Sequence, residues 1–148
     1  QQRLSIIRAL AHDPDLLVLD EPVASLDPVG RRDFLRELVD QVLERGTTVV
    51  FSTHILSDLE RVAVNLAFLT DGRIALQAPL DDLLEQVRAF TGSVTELASL
   101  FARLGAQPLK RVALEGGRER VLARLPAGVA APADAQAVNL DDLFAELT

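Results

Sequence analysis

The chain has 148 residues, of which 49% are hydrophobic and 25% are charged, and its formal net charge is −7 at pH 7. This composition is typical of a folded globular protein and excludes a disordered chain. The acidic balance argues against a nucleic-acid partner, because such a surface needs clustered Lys and Arg to neutralise phosphates. There is no cysteine, which excludes disulfides and thiolate metal sites and fits a reducing compartment.

The first part of the chain has the pattern of a layered α/β fold. Leu16-Leu17-Val18-Leu19 is an unbroken apolar run that ends in Asp20-Glu21-Pro22, which indicates a strand buried on both faces, as in a parallel sheet. Asp27 and Pro28 suit the start of a helix, and Gly46 suits its end. Strand, helix and strand in this order predict a βαβ unit with a right-handed crossover. The elements predicted here are a helix over Arg3–Ala11, the strand Leu16–Leu19, a helix between Asp27 and Gly46, a strand over Thr47–Ser52 and a helix over Ser57–Ala63.

The character of the sequence changes after Pro79. Before it, Asp71-Gly72 separates two short strand-like runs and is a strong hairpin signal. The further predicted elements are strands over Asn65–Thr70 and Arg73–Gln77, helices over Leu80–Val87 and Val94–Leu104, a hairpin of Gln107–Leu114 with Arg118–Leu125, an irregular stretch over Pro126–Ala137 and a closing helix over Leu140–Leu147. We therefore predict an α/β fold over residues 1–88 and a small α+β extension over residues 89–148, with a boundary at Ala89–Ser93.

Three polar side chains follow the two predicted parallel strands. Asp20 and Glu21 come at the end of the first strand, and His54 comes just past the second. In open parallel sheets, ligands bind beyond the carboxyl ends of the strands. An acidic pair at that edge can hold a divalent cation and orient a water molecule, and a histidine on the neighbouring strand can reach the same point. Taken alone, Asp20 and Glu21 could equally form an ordinary turn at a strand end.

These motifs, in their order and spacing, resemble the ATP-binding subunits of ABC transporters. The strand ending in Asp20 is similar to the Walker B motif, Glu21 to the catalytic glutamate, Ser25-Leu26-Asp27 to the D-loop and His54 to the switch histidine. Gln1-Gln2-Arg3 is similar to the residues that follow the family's L-S-G-G-Q signature. The resemblance extends from Gln1 to about Gln86. It implies the C-terminal part of a P-loop NTPase-type parallel sheet with flanking helices.

The resemblance also implies a role for each matching residue, with ATP and Mg²⁺ as cofactors. Asp20 would bind Mg²⁺, through water, since Mg²⁺ keeps several waters and takes one or two carboxylates. Glu21 would act as the general base on the attacking water. His54 would contact the γ-phosphate and help hold the attack geometry. Ser25 and Asp27 would lie beside the nucleotide at the contact between two such subunits.

The departures from the family pattern are as informative as the matches. The sequence contains no G-x-x-x-x-G-K-[ST] phosphate loop, and its only lysine is Lys110. The signature and the glutamine loop are also missing. The chain begins at Gln1 and contains no methionine, so we expect a C-terminal fragment whose isolated form does not hydrolyse ATP.

The tail carries a second resemblance. The segment Asn139–Thr148, together with the stretch Glu21–Pro28, looks like the ATPase subunits of bacterial ABC-2 exporters. This implies a transmembrane permease and a second ATPase subunit as partners. It also implies a cytoplasmic location, peripheral on the inner face of the membrane.

Two other functions stay open from the sequence. The first is an ABC-type ATPase of a non-transport system, such as chromosome maintenance or translation. The second is a non-catalytic regulatory or interaction module that kept the fold and lost the phosphate loop. A phosphate loop encoded upstream of Gln1 would exclude the second, and a neighbouring gene with several hydrophobic spans would favour transport over the first.

Overall fold

The computed structural model of the chain describes residues 11–12 and 14–147. The predicted helix over Arg3–Ala11 therefore lies outside the described residues except for Ala11. The strands are β1 (Leu16–Asp20), β2 (Thr48–Ser52), β3 (Asn65–Thr70), β4 (Arg73–Pro79), β5 (Val87–Ser93), β6 (Gln107–Ala113), β7 (Arg118–Arg124) and β8 (Gln136–Ala137). The helices are α1 (Pro28–Arg45), α2 (Leu56–Val62), α3 (Leu80–Gln86), α4 (Val94–Leu104) and α5 (Leu140–Leu147). The chain forms two compact units, of which one ends at Val62 and the other begins at Ala63.

The first unit contains the predicted parallel strand pair. β1 pairs with β2 in parallel, from Leu16 opposite Thr48 to Asp20 opposite Ser52. Helix α1 follows β1 in the sequence and precedes β2. The Asp27 carboxylate accepts the Gly30 N–H at 2.6 Å and caps this helix. Gly46 ends the helix in the left-handed conformation, at φ 70°. The apolar core consists of Leu17, Val23, Phe34, Leu35 and Leu38.

One prediction about β1 is wrong for the described structure. Leu17 is buried, but Leu16 and Val18 are 56% and 68% exposed, and Val50 on β2 is 54% exposed. The pair is therefore buried on the face that packs against α1, and its other face is open. Successive side chains of a strand point to opposite faces, so an apolar run exposes half of its residues wherever only one face is covered.

The second unit begins with the predicted hairpin. β3 and β4 pair antiparallel, and Asp71 and Gly72 have φ of 50° and 72°. Two positive φ values at the central residues are those of a type I′ turn, whose twist matches that of the flanking strands. The inward face of the hairpin buries Leu66, Phe68, Leu76 and Ala78.

A four-stranded antiparallel sheet, with strand order β6-β7-β5-β8, forms the rest of this unit. Its core on one side consists of Phe90, Leu97, Phe101, Val121, Ala123 and Leu125. The rings of Phe90 and Phe101 meet edge to face, with centroids 5.2 Å apart, a favourable aromatic geometry. α5 is attached by Arg120 on β7, which donates to Glu146 at 2.9 Å, and by the Thr70 hydroxyl, which donates to the Leu147 carbonyl oxygen.

The residues at the predicted domain boundary, Ala89–Ser93, lie in a strand. These residues belong to β5, which pairs with β7 along its whole length, from Val87 opposite Arg124 to Ser93 opposite Arg118. The compact units divide between residues 62 and 63 instead. Gly92 and Ser93 resemble loop residues in the sequence, but their pairing with Glu119 and Arg118 of β7 overrides that local preference. The division into an ATPase-domain part over residues 1–88 and a C-terminal extension over residues 89–148 stays a prediction.

The other elements of this unit follow the predictions within a residue or two. The predicted irregular stretch Pro126–Ala137 is irregular except for the two-residue strand β8. Among the helices in the described part of the chain, none combines the length and apolar character that crossing a membrane requires.

The start of α4 allows a direct test of the local structure. Ser93 accepts the Glu96 N–H, and the Glu96 carboxylate accepts the Ser93 N–H and hydroxyl, which is a complete capping box. We expect Ser93→Ala to destabilise the chain by about 1 kcal/mol, measured as a lower urea midpoint, with the exposed Ser99→Ala as an unchanged control. An unchanged midpoint for Ser93→Ala would contradict this role.

The capping box also has a defined pH dependence. The hydrogen bonds from the Ser93 hydroxyl and the Ser93 N–H lower the pKa of Glu96. The stability that this contributes is present above the unfolded-state pKa of a glutamate and is lost as the pH falls through the lower folded-state value. As the pH falls through that range, the free energy of unfolding of the Ser93→Ala chain should therefore decrease less than that of the parent chain.

Candidate functional site

The polar ends of β1 and β2 lie side by side. Asp20 is opposite Ser52 in the parallel register, so the residues that follow, Glu21 on one strand and Thr53 and His54 on the other, leave the sheet at the same edge. This is the edge at which ligands bind in open α/β sheets. The structure thus brings together the predicted residues Asp20, Glu21 and His54.

Ser52 links the two acidic residues. Its hydroxyl donates to Asp20 Oδ1 at 2.5 Å and accepts the Glu21 N–H at 2.9 Å. No function is predicted for Ser52 from the sequence alone. The signal that could have found it is its position opposite Asp20, since a short hydroxyl side chain there reaches the neighbouring strand end.

The backbone of Glu21 has an uncommon conformation. Its φ is 45°, in the left-handed region that a non-glycine residue rarely occupies. Such a conformation costs of order 1–3 kcal/mol and occurs often at functional sites. It is held by the Ser52 contact on one side and by a turn on the other, in which the Ala24 N–H donates to the Glu21 carbonyl oxygen at 3.3 Å.

The side chains of Glu21 and His54 contact each other directly. His54 Nδ1 lies 2.9 Å from Glu21 Oε1, and the two side chains are 66% and 35% exposed. The second oxygen, Glu21 Oε2, is buried and has no hydrogen-bond partner among the described residues. A buried carboxylate oxygen without a donor is costly, so Glu21 has one oxygen on His54 and one that is suited to a water molecule or a cation.

The loop that carries His54 is short and locally hydrogen-bonded. The Thr53 hydroxyl accepts the Ile55 N–H at 3.0 Å, and the Ile55 carbonyl oxygen accepts the Asp58 N–H at 3.1 Å at the start of α2. These bonds fix the path of the backbone on both sides of His54.

The predicted D-loop residues lie between Glu21 and α1. Ser25 is exposed, on a turn in which the Leu26 N–H donates to the Val23 carbonyl oxygen at 3.0 Å. The Asp27 carboxylate accepts the Gly30 N–H and so caps α1. The Leu26 carbonyl oxygen accepts Arg31 Nε at 2.9 Å. The structure places Ser25 and Asp27 on the loop next to Glu21, and it gives Asp27 a capping role.

Comparison with known proteins shows that the chain is similar to ATP-binding proteins of ABC transporters. The bacitracin transport ATP-binding protein BcrA of Bacillus licheniformis is 38% identical over 90 residues, which cover 61% of this chain and 29% of BcrA. The lantibiotic transport ATP-binding protein SrtF of Streptococcus pyogenes is 41% identical over 81 residues, covering 55% of this chain and 35% of SrtF. The ABC transporter ATP-binding protein sll0415 of Synechocystis is 32% identical over 133 residues, covering 90% of this chain and 32% of that protein.

The chain is homologous to part of the ATP-binding proteins of ABC transporters. This confirms the resemblance identified from the motifs. The chain spans about a third of the length of the curated relatives it matches. A family model described as an AAA domain, putative AbiEii toxin, Type IV TA system matches residues 1–57. The matches imply a relation to nucleotide-binding ATPases, and the parallel β1–β2 pair with α1 is compatible with a P-loop NTPase sheet.

The ABC relatives imply a bound Mg²⁺, and the side chains present fit a partial ligand set. The described residues contain no group of three or more His, Cys, Asp or Glu side chains that could hold a metal ion by themselves. Mg²⁺ in nucleotide sites takes one or two carboxylates, and waters and phosphates complete its octahedron. Asp20 and Glu21 supply two carboxylates at the end of β1, and Glu21 Oε2 is a buried acceptor without a donor among the described residues.

Proposed function

We propose that this chain forms the water-activating part of an ABC-type ATPase, in an intact protein whose remaining segment supplies the phosphate loop. The observation that carries the proposal is the Glu21 carboxylate, with Oε1 on His54 and Oε2 buried without a donor. A carboxylate in this state, beyond the end of a parallel strand, is placed to accept a proton from water. The homology to ABC ATP-binding proteins favours ATP as the substrate.

Each site residue has a distinct part in this proposal. Asp20 would hold Mg²⁺, and the ion would supply positive charge that offsets the phosphate charge of a bound nucleotide. Ser52 keeps the Asp20 carboxylate oriented and ties it to the Glu21 backbone. Glu21 takes the proton from the attacking water as general base. Phosphoryl transfer depends mainly on positioning and charge stabilisation, so these contacts set the rate.

His54 would act on the phosphate side of the site. With Nδ1 hydrogen-bonded to Glu21, the second ring nitrogen is available, and in the imidazolium form it can donate to a γ-phosphate oxygen. Ser25 and Asp27, on the adjacent loop, would meet the second ATPase subunit beside the nucleotide. Asp27 can do so while it caps α1, because a carboxylate oxygen accepts more than one hydrogen bond.

The relatives also support a proposal for the biological role. We propose that hydrolysis drives export through a transmembrane permease, with the ATPase on the cytoplasmic face of the membrane. The names of BcrA and SrtF, which refer to bacitracin and lantibiotic transport, support a role in transport, and the ABC-2 type is what the sequence resemblance implies. The permease would select the substrate.

His54→Ala in the intact protein should lower the ATP turnover rate by about 10²-fold and change Mg-ATP affinity little. A contact that strengthens in the transition state affects rate more than binding. Steady-state turnover and equilibrium nucleotide binding are measured on the same preparation. His12→Ala is the matched control, because His12 is the only other histidine and is given no part in the site. A large affinity loss with normal turnover would contradict the proposed role.

A further inference from the structure

Glu21 has a backbone conformation that its local sequence disfavours. Its φ is 45°, and a residue with a Cβ atom is strained in this left-handed region. The next residue is Pro22, and a proline pushes the residue before it towards an extended backbone. Both local effects oppose the observed conformation, so contacts from elsewhere in the fold must hold it.

Two hydrogen bonds in the described structure act on the backbone of Glu21. The Glu21 N–H donates to the Ser52 hydroxyl oxygen at 2.9 Å, and the Glu21 carbonyl oxygen accepts the Ala24 N–H at 3.3 Å. The second bond is longer than the usual N–H···O range of about 2.7–3.2 Å, and it lies within one local turn. The first joins the end of β1 to the end of β2. Ser52 is therefore the residue of the neighbouring strand that holds this backbone.

The chemistry of the three groups fixes the direction of the Ser52 hydroxyl. A carboxylate only accepts hydrogen bonds, and a backbone N–H only donates. Ser52 therefore gives its single proton to Asp20 Oδ1, at 2.5 Å, and accepts the Glu21 N–H on a lone pair. A hydroxyl that donates to a carboxylate is a better acceptor, because successive hydrogen bonds polarise one another. Asp20 thus strengthens the hold of Ser52 on Glu21.

The same strand end also contacts the side chain of Glu21. His54 follows Ser52 by two residues, and its Nδ1 atom lies 2.9 Å from Glu21 Oε1. The end of β2 therefore contacts Glu21 twice, once at the backbone N–H and once at the carboxylate. Rotation about φ swings the side chain around the N–Cα bond, so an extended Glu21 would carry its carboxylate away from His54.

We propose that Ser52 is a positioning residue for Glu21: its hydroxyl holds the left-handed backbone, and that backbone places the carboxylate on His54. The hold on the backbone does not depend on the proposed function; only its value for hydrolysis rests on that function. The feature that matters is the hydroxyl. Because Ser52 is exposed, threonine has room for its additional methyl group and should replace serine, whereas alanine should not.

The backbone of Glu21 gives the first test, with the 148-residue chain and no nucleotide. At positive φ the amide proton and the α-proton of one residue lie close together, so the NOE between them is strong. We expect a strong Glu21 NOE in the parent and in Ser52→Thr, and a clearly weaker one in Ser52→Ala. Thr48→Ala, at the other end of β2 and also exposed, is the matched control and should equal the parent. An equally strong NOE in Ser52→Ala would overturn the proposal.

The ring of His54 reports the consequence for the side chain. The chain has two histidines, so the imidazole carbon–proton signals are assigned with His12→Ala. Ser52→Ala should shift the His54 signal in the same direction as Glu21→Ala, which removes the contact, and Ser52→Thr should leave it in place. If Ser52→Ala does not fold, Ser52→Cys decides, because a thiol is a weaker hydrogen-bonding group. A parent-like His54 signal in the folded variant would overturn the proposal.

Turnover of the intact protein separates this role from an effect on Asp20. Ser52→Ala should lower ATP turnover by about 10²-fold, the size of effect that a small misplacement of a reacting group can have. The affinity for Mg-ATP and the Mg²⁺ concentration at half-maximal turnover should change much less, and Ser52→Thr should restore turnover.

Parent-like turnover of Ser52→Ala with a raised Mg²⁺ requirement would show that Ser52 acts through Asp20 alone, and would overturn the positioning of Glu21. A parent protein without hydrolysis would contradict the proposed function instead. The Glu21 NOE of the 148-residue chain would still decide whether Ser52 holds this backbone.

Discussion

Glu21→Gln in the intact protein should lower ATP turnover by about 10²–10⁴-fold, the usual contribution of a general base, while Mg-ATP still binds. The amide has the size and shape of the carboxylate, so the contact to His54 and the left-handed backbone of Glu21 are preserved. It cannot accept a proton from the attacking water. The loss should therefore fall on the rate of hydrolysis and not on nucleotide affinity.

This expectation is checked by phosphate release and equilibrium Mg-ATP binding on the same preparations. Glu37→Gln is a matched control, because Glu37 is exposed on α1 and makes the same change of charge. Turnover of the Glu21→Gln protein within a few-fold of the parent would show that Glu21 is not the base. Loss of both turnover and binding would mean that the substitution disturbs the site as a whole.

The 148-residue chain alone should not bind Mg-ATP at micromolar concentrations and should not hydrolyse it. Tight binding in P-loop sites rests on backbone N–H groups of a glycine-rich loop and on a lysine that reaches the β and γ phosphates. The sequence has no such loop, and its only lysine is Lys110 in β6. The groups at the strand ends include the carboxylates of Asp20 and Glu21, which repel phosphate unless Mg²⁺ lies between them.

Calorimetric titration of the purified chain with Mg-ATP measures this directly. Mg²⁺ releases its waters reluctantly, so two carboxylates and a bound ion form a weak anchor for a nucleotide. The Glu21→Gln chain is titrated in the same way as a control, because the site in this variant carries one negative charge less. A dissociation constant near 1 μM, roughly −8 kcal/mol, would show that the chain contains a nucleotide site that we have not located.

Features that depend on neighbouring residues could be predicted from the sequence. Asp27 and Pro28 begin α1 and Gly46 ends it, as their capping preferences require, and Asp71-Gly72 lies at the turn of the expected hairpin. The proximity of Asp20, Glu21 and His54 could also be predicted, because parallel strands bring their carboxyl ends to one edge of the sheet.

Features that depend on distant residues could not be predicted. Most of β5 has the local sequence of a domain boundary, because its pairing with the distant strands β7 and β8 is not visible in the sequence around it. Ser52 becomes part of the site only through the register that sets it opposite Asp20. The burial of Asp58, whose Oδ2 atom has no hydrogen-bond partner among the described residues, could not be predicted, because an aspartate in the first turn of a short helix is usually an exposed N-terminal charge.

The central claim is that Asp20 and Glu21 form a Mg²⁺-dependent water-activating site in an ATPase. Its most direct test is ATP hydrolysis by the intact protein, measured with and without Mg²⁺, for the parent and for Asp20→Asn, with the exposed Asp33→Asn as control. We predict Mg²⁺-dependent hydrolysis in the parent and in Asp33→Asn, and loss of that activity in Asp20→Asn. Absence of hydrolysis in the parent, or equal Mg²⁺-dependent rates in parent and Asp20→Asn proteins, would contradict the claim.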